Sequence, residues 1–524
     1  MEMVNFSIPS KSSPSVLSDE LVSSQLYSED LAPTSLSQRT WTTWNYAALW
    51  ISMCHCLPTY ALCGSLITSG MNWFQALITI GIGNLIVLIP ILLMAQPGTK
   101  YGIPFPVLAR SAFGTWGANI PAMLRGLVAC GWLGINVFLG GEALKTFVIA
   151  VWPGYEYLGN NWTFLGLSIP SWLTFGLCLS IHIIIIYYGM EAVKKFENWA
   201  APIVLIMAAI LLVWLVVKAK GLGSMLYKPS KFETFREFWG IFIPSLTSTI
   251  GFWSTLALNI PDFTRFSRSQ CDQMLGQSLG LPLTMLIFSA MAVIITSTAQ
   301  DVLVNVPGNL WDPIYLLSVI TSPSHAYFST SIRIIIAIIS LLGILIATVS
   351  VNIAANVVSP ANDFANLSPR YISFKTGGLI TCILSVVIMP WKLLSSSEEY
   401  VFTWLIGYSA LLGPIVGIIL GDYYILRRQK LEIFQLYCDS YPLYTNRAVN
   451  WFSMLALVIG IAPNMPGFIR SLQLNQNRET VFFDHIYIYA WFIGLFLAGF
   501  VYVLTMLIHR RVNFDRVRRR FLNK

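Results

Sequence analysis

The sequence predicts an all-α integral membrane protein of twelve transmembrane helices, ten of them in two inverted units of five. Charged residues make up only 11% of the 524, against about 25% in a soluble protein, too few for a water-facing surface. Apolar residues make up 56% and mean hydropathy is +0.66. A dozen stretches reach the ~20 apolar residues that carry a helix across a bilayer. A soluble enzyme is thereby excluded. The net charge of +8 does not signal nucleic acid, because Lys and Arg lie in short loops between apolar runs rather than on one folded face. Six of the eight cysteines fall within apolar runs, and none has CxxC or Cys/His metal spacing, so neither a disulfide framework nor a cofactor is expected.

Taken in order, residues 1–42 are Ser-rich and broken by Pro9, Pro14 and Pro33; they read as a disordered cytoplasmic tail without a signal peptide. Hydropathy places spans at 43–68, 73–96, 118–151, 170–190, 197–217, 238–260, 278–298, 331–358, 376–395, 398–421, 447–467 and 484–508. Residues 509–524 form a basic tail whose arginines (Arg516, Arg518, Arg519, Arg520) either bind anionic lipid or simply anchor the chain inside. With the N-terminus in the cytoplasm, inner segments hold 21 Lys and Arg and outer ones 8, so both termini are expected inside a plasma or inner cell membrane. Asn161-Trp162-Thr163 is a glycosylation triplet in an expected outer loop.

A unit with an odd number of spans inserts upside down when duplicated, and secondary transporters use such repeats. Residues 43–217 and 238–421 divide as five and five, with 447–508 as two added spans. The first span of each unit is interrupted, at Met53-Cys54-His55-Cys56-Leu57-Pro58 and at Gly251-Phe252-Trp253 before Asn259-Ile260-Pro261. Pro58 lacks an N–H, so carbonyls near Cys54 are expected to lose their helical partners. Broken backbone at membrane depth is tolerated where it lines a cavity, and its carbonyls can hold a cation; an ordinary proline kink is the plainer reading.

Polar residues inside the spans recur at helical spacing. Trp132 and Asn136 are four apart, as are Asn352 and Asn356, so each pair shares a helix face. An amide in hydrocarbon needs a partner and therefore faces the bundle. Hydrogen bonding between helices explains a single such Asn. A tryptophan one turn from an amide further suits a planar, amide-rich heterocycle, which the indole face can stack and the amide can bond.

Thr43-Trp44-Asn45-Tyr46, the stretch from Gly98 through Lys100 and Gly102 to Pro106, Gly117-Ala118-Asn119-Ile120-Pro121, Leu258-Asn259-Ile260-Pro261-Asp262-Phe263-Thr264-Arg265 and Ser359-Pro360-Ala361-Asn362-Asp363 strongly resemble the nucleobase:cation symporter family 1. The resemblance runs from about residue 40 to about 465. It implies a LeuT-like fold and carriage of hydantoin, allantoin, uracil, cytosine or purines. It also implies that Trp132 and Trp253 sandwich the substrate ring. Asn136 stands where the family often has Gln or Glu, one methylene longer, and Asn356 matches the asparagine of span eight, with Asn352 one turn away.

For sodium-coupled members the resemblance implies ligands at the Met53 and Cys56 carbonyls, the Ala347 carbonyl and the Ser350 hydroxyl. The second hydroxyl position is Val351, which has no oxygen for a hard cation, so Na+ and H+ both stand as coupling ions. His55 and Glu142 are the titratable residues at membrane depth; their plainer readings are a capped polar group at the kink and a pair with Lys145. Asp262, Arg265 and Arg268 could lock the cytoplasmic side, or be ordinary loop charges. The expected mechanism is alternating access by a monomer whose partners are a heterocycle and the lipid bilayer. His182, His325, His485 and His509 are scattered, with no arrangement for a membrane enzyme, whereas an uncoupled facilitator, channel or receptor would keep the same fold.

Overall fold

The computed structural model describes residues 24–522 apart from 161, 189, 304, 305, 307, 323–328, 395–402, 439–447 and 473–480, and the backbone alone at 150, 190–201, 204, 330 and 513–522. Asn161, His325 and the first 23 residues of the expected tail lie outside the described residues.

The chain is mostly helical. The first expected span is two helices, α1 (Thr43–Cys54) and α2 (Leu57–Thr68), bent by 60° at the interruption. Then come α3 (Trp73–Tyr101), a short buried α4 (Phe105–Phe113), α5 (Asn119–Val151), α6 (Ile169–Tyr188) and α7 (Met190–Ala219). The sixth expected span is α8 (Phe235–Phe252) broken from α9 (Ser254–Asn259), followed by α10 (Gln270–Val302). A helix from Thr330 to Val351 (α11) passes through a π segment, Asn352–Val357, into α12 (Val358–Leu367). After these lie α13 (Phe374–Val387), α14 (Ile406–Leu420), α15 (Trp451–Ile461) and α16 (Ala490–Leu522). Among the described residues eight helices are long and apolar enough to cross a membrane, or nine with the bent pair.

Local chemistry sets several of these boundaries. Asn72 caps α3 by accepting from the Gln75 backbone at 2.8 Å, and Gly102 ends it in the left-handed region with φ 73°. Outward apolar residues at helical spacing, such as Leu279, Leu283 and Ile287 on α10, remain exposed, as a lipid-facing stripe requires.

The helices pack in two groups. Helices α1 to α3 associate with α8 to α10, while α5 associates with α6, α11, α12 and α13; α14 packs chiefly on α16 along one flank. Lys100 of α3, Arg110 of α4 and Arg265 after α9 all reach segments outside their own group.

One expectation is corrected. Residues 24–42 are not a disordered tail. Leu26 and Leu31 are buried, and their carbonyls accept from Arg110 at 3.1 Å and from Tyr437 Oη at 2.6 Å. Asp30 accepts from Arg265 at 3.0 Å through its carbonyl and from the Phe374 backbone at 2.9 Å through its carboxylate. Helix α16 runs on into the expected basic tail as far as Leu522.

Candidate functional site

The break between α1 and α2 precedes the proline rather than arising from it. His55 leaves helical geometry (φ −80°, ψ 67°) and Cys56 is extended. Pro58 then sits in the first turn of α2, where a missing N–H costs nothing. The Cys54 carbonyl accepts from the Cys56 N–H at 3.0 Å instead of a helical partner. The second break falls at Trp253 (φ −105°, ψ 6°). Here the Gly251 carbonyl is taken up by Tyr408 Oη at 2.7 Å and by Ser254 Oγ at 2.8 Å. A Cβ on Gly251 would meet Ser409 Oγ at 2.3 Å, so only glycine lets α14 approach this break so closely.

A cavity lies at the seam between the two helix groups. Met53, Cys56 and Pro58 line it from the first break and Phe252, Trp253, Thr255 and Leu256 from the second; Trp132 and Asn136 of α5 and Val351, Ala355 and Asn356 of α11 and the π segment face them. It is nearly shut, with a free volume of about 20 Å³, room for a single water. A heterocyclic ring enters only if the two groups part.

The two indoles belong to one aromatic cluster joined through Phe252. Phe252 stands edge-on to both, with ring centroids 5.2 Å from Trp132 and 4.9 Å from Trp253. Trp404 and Tyr408 back Trp132 at 6.0 and 6.3 Å, and Trp50 meets Trp253 edge-on at 5.1 Å. A Cβ on Gly131 would touch the Trp404 ring at 2.3 Å, so the glycine before Trp132 is what admits that backing ring. Phe252, Trp404 and Tyr408 carry no signal in the sequence, because aromatic residues are common in apolar helices.

Of the amides, Asn136 Nδ2 donates to the Trp132 carbonyl of its own helix at 3.2 Å. Asn356 Nδ2 donates to Asn352 Oδ1 at 2.9 Å, and Asn352 Nδ2 lies 3.3 Å from the Leu133 carbonyl and 3.1 Å from His182 Nε2. Asn352 therefore supports Asn356 from behind and does not line the cavity.

The residues named for a cation are only partly gathered. Met53, Cys56 and Val351 line the cavity, and Ser350 Oγ lies 2.5 Å from Ser52 Oγ of α1. The Cys56 carbonyl caps the first turn of α2, accepting from Thr59 at 3.1 Å. Ala347 is half-buried and outside the lining. His55 also stands outside it, its ring 4.6 Å from Phe288 and its Nδ1 2.7 Å from the Ile51 carbonyl. Glu142 pairs with Lys145, which also donates to Ser171 Oγ at 2.9 Å.

On the side of the cavity toward α9 and α12, Asn259 donates to Ser359 Oγ across the seam. Asp262 is buried and accepts from the Phe105 backbone at 2.9 Å. Arg265 reaches Asp30, whereas Arg268 pairs on the surface with Asp272 at 3.2 Å. Arg125 and Asp363, both wholly buried, form an ion pair at 3.2 Å, and Arg125 also donates to the Ala355 carbonyl of the π segment at 3.2 Å.

Against known proteins, residues 33–494 match the family described as a permease for cytosine/purines, uracil, thiamine and allantoin. The chain is 44% identical over 489 residues to the purine-uracil permease NCS1 of Arabidopsis thaliana, covering 92% of this chain and 78% of that one. It is 37% identical over 488 residues to an allantoin permease of Bacillus subtilis, covering 93% and 94%. Its fold resembles that of Mhp1, a nucleobase-cation-symport-1 family transporter solved in a closed conformation with bromovinylhydantoin bound, with a TM-score of 0.71 at 22% identity over 93% of this chain and 96% of that chain. A Na+-coupled sialic acid symporter has a similar fold, with a TM-score of 0.58 at 12% identity over 92% of each chain.

Proposed function

The chain belongs to the permease family for cytosine/purines, uracil, thiamine and allantoin, and from that premise we propose that it imports a nucleobase or related planar heterocycle, coupled to Na+ or H+, by alternating access. It is a multi-pass membrane transporter and not an enzyme. The observation that carries the substrate reading is the cavity: two tryptophans and two amides meet at two paired helix breaks, on the seam between helix groups. Indole faces stack a flat ring, and amides offer both donor and acceptor to its edge.

The reading takes the chain as twelve helices, with 43–217 and 238–421 as inverted units, 447–508 as two added spans and both termini in the cytoplasm. The matching breaks after Cys54 and at Trp253 support that division. The nearly closed cavity and the Asn259–Ser359 bond across the seam support an occluded state, from which the two groups separate on one side at a time. A coupled ion contributes through its unequal affinity for those states.

Uptake of labelled uracil, cytosine, adenine, guanine, hypoxanthine, allantoin and benzyl-hydantoin by cells expressing the chain tests the proposal. Sodium is replaced by choline in one arm, and a protonophore is added in another. Saturable uptake with counterflow is expected for at least one compound. Linear, non-saturating flux would point to a channel of the same fold, and no uptake despite protein in the membrane would refute import of this class.

Val351 offers a separate check on the ion. The Val351→Thr variant restores a hydroxyl beside Ser350 at nearly constant volume. It is expected to make uptake depend more steeply on sodium, lowering the sodium concentration for half-maximal rate roughly tenfold, the value of one good interaction with a charge. An unchanged sodium titration would place the coupling ion elsewhere.

A further inference from the structure

Resting on the reading of the cavity as the substrate site, we infer that His182 is a positioning residue. It fixes the direction of a buried amide chain so that Asn356 offers the substrate a carbonyl oxygen, which selects a ring N–H at that edge. His182 lies on α6, is wholly buried and does not line the cavity. Its Nδ1 is 2.8 Å from the Cys178 carbonyl. A carbonyl can only accept, so Nδ1 carries the proton and Nε2 of the neutral ring is an acceptor.

That acceptor lies 3.1 Å from Asn352 Nδ2. The second neighbour of the same Nδ2, the Leu133 carbonyl at 3.3 Å, is also acceptor-only but at the long end of the useful range. The amino end of Asn352 is thus held toward α5 and α6, and its oxygen faces Asn356, whose Nδ2 donates to it at 2.9 Å. With its nitrogen turned to Asn352, Asn356 has its oxygen left for whatever enters the cavity it lines. Turning either amide over would set two N–H groups or two oxygens face to face at a buried position, where an unmatched polar pair is costly.

Asn352 and Asn356 both lie within the π segment Asn352–Val357.

The test compares two polar replacements. His182→Gln can place an acceptor where Nε2 stands. His182→Asn can keep the bond to Cys178 but is too short to reach Asn352. Uptake of labelled uracil and allantoin is measured per transporter at the cell surface, with 1-methyluracil and 3-methyluracil as competitors. For His182→Asn, KM is expected to rise about tenfold, the effect of leaving one buried donor unmatched, while the maximal rate stays within about twofold and the preference for unmethylated over methylated uracil shrinks. His182→Gln should stay within about threefold of the parent on every measure. Asn352→Ala breaks the chain one link nearer the cavity and should raise KM in the same way, with no further rise in the double variant; it carries the test if His182→Asn does not reach the membrane.

Equal behaviour of the Gln and Asn variants, or a fall in surface protein with KM unchanged, would overturn the role of His182 alone. A parent chain that carries neither uracil nor allantoin would overturn the reading of the site for this ring edge, and this assignment with it.

Discussion

Trp253→Ala is expected to weaken substrate affinity by roughly five- to 150-fold, the ~1–3 kcal/mol of one aromatic stacking contact on a base, and Trp132→Ala by a similar factor. Both rings are almost fully buried and line the same cavity. Alanine also leaves a hole in a packed aromatic cluster, so lost stability has to be separated from lost stacking. Trp132→Phe and Trp253→Phe do this. Each keeps a flat face against Phe252, which lies about 5 Å from either ring, and should recover most of the affinity. The measurement is the inhibition constant of the carried compound for its own labelled uptake, normalised to surface protein. If the alanine variants keep the parent's affinity while remaining in the membrane, the substrate does not stack there.

Arg125→Met or Asp363→Leu is expected to remove most of the folded protein. Each leaves the other charge uncompensated in a position with no solvent exposure, a loss of about 3–5 kcal/mol. Arg125→Met also strips a donor from the Ala355 carbonyl inside the π segment. The double variant should regain much of the stability, because replacing a buried pair by apolar residues is often neutral. Thermal melting in detergent, followed by fluorescence-detected size exclusion, reads this directly. Single variants that melt with the parent would show that water or another charge already compensates the pair.

The membrane architecture was legible because lipid imposes a blunt rule, a run of apolar residues long enough to cross. The inward facing of Trp132, Asn136, Asn352 and Asn356 was legible for a related reason: each pair is one turn apart, and polar groups cannot face hydrocarbon. What hydropathy missed depends on contacts distant in sequence. His182 reads as one histidine on an apolar helix until Asn352 is brought against it from 170 residues away. Arg125 reads as an interruption of its span until Asp363 meets it. The segment from residue 24 reads as disordered because it is Ser-rich and interrupted by Pro33; its order comes from side chains of α4, the stretch after α9 and the region of Tyr437. The pairing of Glu142 with Lys145 was legible from their spacing, and the contact is present.

The π segment Asn352–Val357 also bears on how the gene can change. Each α-helical residue turns the chain by about 100°, and a π turn accommodates an extra residue without unwinding the flanking helix. Deleting any one residue between 352 and 357 would allow regular helical bonding there. Because the wide turn already absorbs that residue, α12 would keep its facing, but Asn352 and Asn356 would shift relative to His182 and the cavity. The locally better helix is therefore the nonfunctional one. A change in the length of this stretch by a single codon should therefore impair uptake much as loss of Asn352 or Asn356 does, even though the flanking helices stay in place.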